Sequence, residues 1–130
     1  MLPLTIAAAQ SISIAGDLAG NIARHQRFIA AAAEQGVQLL VFPELSLTGY
    51  ERGLAAELAI VPDAAVLQPL REVARAVGVT AVVGMPIRLP DNPSVLIGAL
   101  VLGADGSLGG LQQTASASRG RSGVCTGRRG

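Results

Sequence analysis

The segment Val37–Phe42, VQLLVF, constrains this chain more than any other six residues. It is an almost unbroken apolar run, preceded by Gly36 and stopped by Pro43. A run of this kind reads as a strand covered on both faces, which is how strands inside layered α/β sheets look. Leu4–Gln10 is a second apolar run, too short for an independent helix, and reads as another buried strand.

The residues between these runs set the connection. Ser11–Gly16 is a loop, and Asp17 is placed to cap the helix that follows. Leu18–Gln35 has helical spacing. Leu18, Ile22, His25, Ile29, Ala32 and Ala33 fall on one face, with Arg24, Arg27 and Glu34 opposite. Asn21 belongs with Asp17 as a residue that caps and starts the helix, and Gly36 closes it. His25, on the apolar face, reads as a packed histidine and not a catalytic one.

After Pro43 the pattern continues with a loop over Glu44–Gly53 and a short helix over Leu54–Ile60. A further helix runs to Val77, its regular part starting late because of Pro69. Gly78 ends it. Val79–Val83 is a third strand, Leu89–Pro93 a turn-rich loop, and Ser94–Leu102 a fourth strand. Ala104-Asp105-Gly106 is a tight turn of hairpin type. Strand, helix, strand, helix, strand and hairpin predict an α/β layered fold with a mixed sheet.

Composition removes several function classes. Half of the residues are hydrophobic and 15% are charged, which is globular and not disordered. The formal net charge of +1 favours neither a nucleic acid nor a membrane surface as partner. The N-terminal stretch has no basic residue before Arg24, so it reads as a strand and not a signal peptide. Cys125 is the one cysteine, which excludes a disulfide scaffold and points to a reducing, cytoplasmic setting. With His25 the one histidine, no metal site or cofactor is expected. All ten basic residues are Arg, and the chain has no Lys.

Glu44 is the candidate for chemistry, although on the residues alone it could equally cap the next element or pair with an Arg. A carboxylate directly after a buried strand lies at the carboxyl end of the sheet, where open α/β folds build their sites. Leu45 and Leu47 flank it, and desolvation by such neighbours would raise its pKa toward the range a general base needs. Gly49 and Tyr50 suggest a tight turn lining a pocket, with Tyr50 a candidate substrate-pocket residue.

The segments AAAQ, GDLAGNIARH, AAAEQGVQLLVFPELSLTGYE and AVVGMPI, in this order, resemble the carbon–nitrogen hydrolase superfamily of nitrilases, amidases and carbamoylases. The likeness runs from about Leu4 to Gly110 and is most specific at FPELSLTGY. It implies part of a four-layer αββα sandwich, usually assembled into homo-oligomers, and a small-molecule amide or nitrile substrate. It also implies a thiol mechanism with three groups: a Glu base, a Lys that steadies the tetrahedral intermediate, and a Cys nucleophile. Glu44 matches the base.

The other two groups have no match. The family's Lys motif falls where Leu111–Ser118 stands here, and Cys125 comes too early, in a Gly/Arg-rich stretch, to be the nucleophile. Two units are therefore expected: residues 1–110 as the N-terminal part of a hydrolase domain, and 111–130 as an aberrant, disordered tail. Read one nucleotide later, codons permitted for LQQTASASRGRSGVCTG spell a Lys-containing stretch of the family's kind, so a frameshift is one origin for that tail. The resulting expectation is a truncated, inactive hydrolase fragment. The alternative is a non-catalytic module that pairs with intact homologues.

Overall fold

The computed structural model describes residues 4–49, 59, 65–89 and 92–113. Strand β1 (Ile6–Ala8) leads through helix α1 (Leu18–Glu34) to β2 (Leu39–Val41). A short 3-10 turn at Ala65–Leu67 opens helix α2 (Gln68–Val77), which returns the chain to β3 (Thr80–Leu89). β4 (Asn92–Leu102) and β5 (Leu108–Gln113) complete a sheet of order β1-β2-β3-β4-β5. The first three strands are parallel, and β4 and β5 are antiparallel to their neighbours.

Local chemistry places the helices. The Asp17 carboxylate accepts from the Gly20 N–H at 3.2 Å and caps α1. At the other end Gly36 takes φ 77°, and its N–H and that of Val37 donate to Ala33 O and Ala32 O. That pair of bonds is a Schellman close, which requires the left-handed residue that glycine supplies without strain. Pro69 sits in the first turn of α2, where a missing N–H costs no helical bond, and Gly78 ends the helix at φ 74°.

Both helices lie on one face of the sheet, as successive right-handed crossovers in one direction dictate. Ile22, Ile29 and Ala32 of α1 and Leu70 and Ala74 of α2 meet Leu40, Ala81, Val83, Met85, Leu100 and Leu102 of the sheet in one core cluster. Enclosing a side chain such as Ile29 completely contributes about 1.5–3 kcal/mol. The fold is the expected mixed α/β arrangement, one sheet with one helical layer.

Several boundaries differ from the sequence reading. The first two strands are shorter than their apolar runs, with regular pairing limited to Ile6–Ala8 and Leu39–Val41. β3 is longer than Val79–Val83, because pairing with β4 carries it through Gly84 and Pro86 to Leu89. Pro86 is tolerated there because its missing N–H faces the same side as that of Gly84, beyond the end of β2. Asn92 and Pro93, expected in a loop, belong to β4. β5 continues past the change of composition at Gly110, through Gln113. The helix expected over Leu54–Ile60 (Ala59 apart), Tyr50 and the segment 114–130 with Cys125 lie outside the described residues.

Candidate active site

Where β2 ends, the chain turns over the edge of β3. Phe42 N–H still donates to Val82 O at 2.8 Å, as a parallel strand would. From Pro43 onward a compact turn replaces the strand. Ser46 N–H returns to Pro43 O at 3.1 Å, and Gly49 N–H to Leu45 O at 2.8 Å. Leu47 N–H bonds Gly84 O at 2.9 Å, and the Ser46 hydroxyl accepts from Gly84 N–H at 3.0 Å. The turn thus takes up the polar groups of Gly84 that β2 no longer reaches.

Gly84 is required for this approach. A Cβ there would meet Leu45 N, Pro43 O at 2.8 Å and Glu44 C at 2.9 Å, all of them backbone. Leu45 adopts φ 53° and is the one non-glycine residue in the left-handed region among the described residues. Such a conformation stores about 1–3 kcal/mol and persists only where the surroundings over-determine it. Its side chain is buried, as is that of Leu47, which joins the core cluster.

Glu44 sits on this turn just past the carboxyl ends of β1 and β2, over Gly84 in the middle of β3. Leu45 and Leu47 turn inward, and Glu44 is exposed and not enclosed by its apolar neighbours in sequence. Among the described residues no ion pair or hydrogen bond engages its carboxylate.

The residues beneath the turn are the part that sequence reading missed. His25 is buried, with Nδ1 2.7 Å from Asn21 O and Nε2 2.9 Å from Ser46 Oγ. A carbonyl can only accept, so Nδ1 carries the proton and Nε2 accepts from the Ser46 hydroxyl. Burial holds the His25 pKa below its ordinary value of 6.5. The bond to Asn21 O raises it in part, and Arg24 adds to the lowering. The ring also stacks on Phe42, centroids 4.1 Å apart. This is the packed histidine the apolar helix face predicts.

Asn21 does not cap the helix. Its amide NH2 donates to Ile14 O and Leu47 O, both at 2.9 Å, and its Oδ1 accepts from Ile14 N–H at 2.9 Å and Arg24 at 2.7 Å. Ser13 donates to Ser46 O, and Gly16 N–H to Thr48 O at 2.9 Å. The loop before α1 and the turn after β2 are therefore laced together across Asn21. The available signal was a pair of polar residues, Asn21 and His25, one turn apart on an otherwise apolar face. No group of three His, Cys, Asp or Glu that could hold a metal occurs among the described residues, and no described helix is long and apolar enough to cross a membrane.

The mixed α/β fold has known counterparts. The sequence profile of the carbon–nitrogen hydrolase family matches residues 5–117, and the chain belongs to that family. XC1258 from Xanthomonas campestris, a CN-hydrolase superfamily protein with an arsenic adduct in its active site, superposes with a TM-score of 0.79 at 21% identity. The match covers 99% of this chain and 48% of that one. Saccharomyces cerevisiae Nit3, from branch 10 of the nitrilase superfamily, gives 0.74 at 22% identity over 85% of this chain and 44% of its own. Both likenesses show the fold. The amidase from Nesterenkonia sp. AN1, as a glutamate-to-glutamine, cysteine-to-alanine double mutant in complex with acrylamide, gives 0.70 at 28% identity. That match covers 87% of this chain and 45% of the amidase. The chain spans slightly less than half the length of each.

Proposed function

We propose that this chain carries the general base, Glu44, of a hydrolase acting on small amides, nitriles or carbamoyl compounds. The observation that supports it is Glu44 itself: exposed, unpartnered among the described residues, and held at the carboxyl end of the parallel strands by a clamped turn. A carboxylate so placed is open to take a proton. In the family's chemistry that proton leaves a cysteine thiol, the thiolate attacks the carbonyl or nitrile carbon, and a lysine offsets the negative charge that develops. For an amide the C–N bond then breaks, the amine leaves with the proton held by the glutamate, and water hydrolyses the acyl-enzyme; a nitrile adduct first takes up a water to reach the same point.

The 130 residues contain no Lys, and Cys125 lies outside any nucleophile motif, so this chain alone does not complete the cycle. The chemistry belongs to residues 1–110, and 111–130 is an aberrant stretch whose first residues, Leu111–Gln113, still pair in β5. The coding nucleotides test that division: a shifted frame without a Lys-containing motif removes the frameshift origin. A cytoplasmic, homo-oligomeric setting fits the intact enzyme.

The turnover test is release of ammonia from a panel of simple amides and nitriles by the 130-residue chain. The expected result is none above buffer. Turnover that disappears in Glu44→Gln would overturn the inactivity and keep the base; turnover that survives Glu44→Gln would overturn the base. A second reading, a non-catalytic module that pairs with an intact homologue, is favoured by the apolar sheet face described in the Discussion. Cooperative melting of the isolated chain and co-purification with an intact homologue would support it.

A further inference from the structure

We propose that Asn21 and His25 are positioning residues for Glu44, acting through the backbone of the turn and not through its carboxylate. The inference rests on Glu44 being the base, but its geometry is independent of that role. The Glu44 side chain has no partner among the described residues, and among these the path of residues 43–48 places its carboxylate. That path is fixed at two adjacent residues by one helix. His25 Nε2 takes the Ser46 hydroxyl at 2.9 Å, and the same hydroxyl receives Gly84 N–H at 3.0 Å. Asn21 donates to Leu47 O at 2.9 Å, while Leu47 N–H is held by Gly84 O. Glu44 is thus referenced to α1 and β3 together.

The clamp is a committed one. Asn21 and His25 are fully buried, and every polar atom of both side chains is bonded. Beyond the bonds within α1 itself, to Asn21 O and from Arg24, their hydrogen-bond partners are the loop at Ile14 and the turn at Ser46–Leu47. A buried pair serving stability alone has no need to converge on the segment bearing the catalytic carboxylate. Ser46 is the shared link, because its hydroxyl joins helix, turn and strand at one atom.

Amide hydrogen exchange on the 15N-labelled 130-residue chain tests this. In Ser46→Ala the amides of Gly84, Leu47 and Gly49 should exchange roughly tenfold faster or more, while the β3–β4 ladder stays within about twofold of the parent. Turn amides that hold their parental rates overturn the proposal. So does acceleration of turn and ladder by one common factor, which would mean lost stability alone. Should Ser46→Ala fail to fold, the imidazole 15N spectrum of the unsubstituted chain decides. A protonated Nδ1 with an accepting Nε2 supports the clamp, and a protonated Nε2 overturns it. No readout here depends on turnover, so failure of the clamp and failure of Glu44 as base remain distinguishable.

Discussion

On the face of the sheet that carries α1 and α2, Ala81, Val83, Met85, Leu100 and Leu102 are completely enclosed, whereas on the opposite face Ile6 is 58% exposed and Val41 37%. The register explains the division. Ala7, Leu40 and Ala81 lie side by side toward the helices, so Ile6, Leu39 and Thr80, and Ala8, Val41 and Val82, point the other way. Val95, Ile97, Ala99 and Val101 of β4 continue that second face. Both faces draw on the same β-branched and aliphatic residues. What separates them is helical cover, and hydrophobicity alone does not predict it. The second face is also not open throughout: Gly84 and Pro86 are buried, and over Gly84 lies the backbone of Pro43–Leu45.

The largest test of this contrast is Leu100→Ala on the helical side. Leu100 is fully enclosed, so its truncation removes transfer energy and leaves a cavity, about 2–5 kcal/mol of lost stability. Urea unfolding of the parent and variant measures it. A loss below about 1 kcal/mol would mean the helical layer is loosely packed and the contrast between faces is shallow.

Gly84→Ala probes the one covered patch of the other face. The added methyl meets backbone on three sides, and the turn cannot retreat without giving up its bonds to β3, so the cost is about 1–3 kcal/mol. Gly109→Ala is the control. It lies opposite Val101 on the same face, where a Cβ would find only the Val101 side chain at 3.9 Å. There the substitution should be neutral or gain up to about 1 kcal/mol, because glycine inside a strand is itself unfavourable. Equal effects at the two glycines would show that the turn does not seat on β3.

The same contrast marks what the sequence made legible. Asp17, Gly36, Pro69 and Gly78 act through the chain within a few residues of themselves, and each punctuates its element as local rules require. The place of Glu44 just past a strand was legible because Pro43 breaks an apolar run. β3 was read too short because Gly84 and Pro86 break strands locally, while the pairing that overrides them comes from β4, a later segment. Tertiary pairing outweighs local propensity there. The Asn21–His25–Ser46 clamp was hidden for a related reason. Ser46 reads as an ordinary loop residue until the helix and strand that share its hydroxyl are brought to it. The exposure of Glu44 also escaped a reading by neighbours, since Leu45 and Leu47 are buried and do not enclose it.

The smallest effect sharpens the contrast most. Val41→Thr exchanges a methyl for a hydroxyl of nearly the same size on the half-open face. Water reaches Val41, so the hydroxyl can be hydrated, and thermal or urea unfolding should move by no more than about 0.5 kcal/mol. At Val83, fully enclosed on the helical face, the same exchange would bury an unsatisfied hydroxyl at a cost of about 1–3 kcal/mol. Light scattering adds a second readout, because a contiguous apolar face of this kind promotes association and a threonine at its centre weakens it. A Val41→Thr penalty as large as that at Val83 would mean the face is covered in solution. The cover would then come from outside the described residues, from another copy or from another chain, since among the described residues both helices lie on the opposite side.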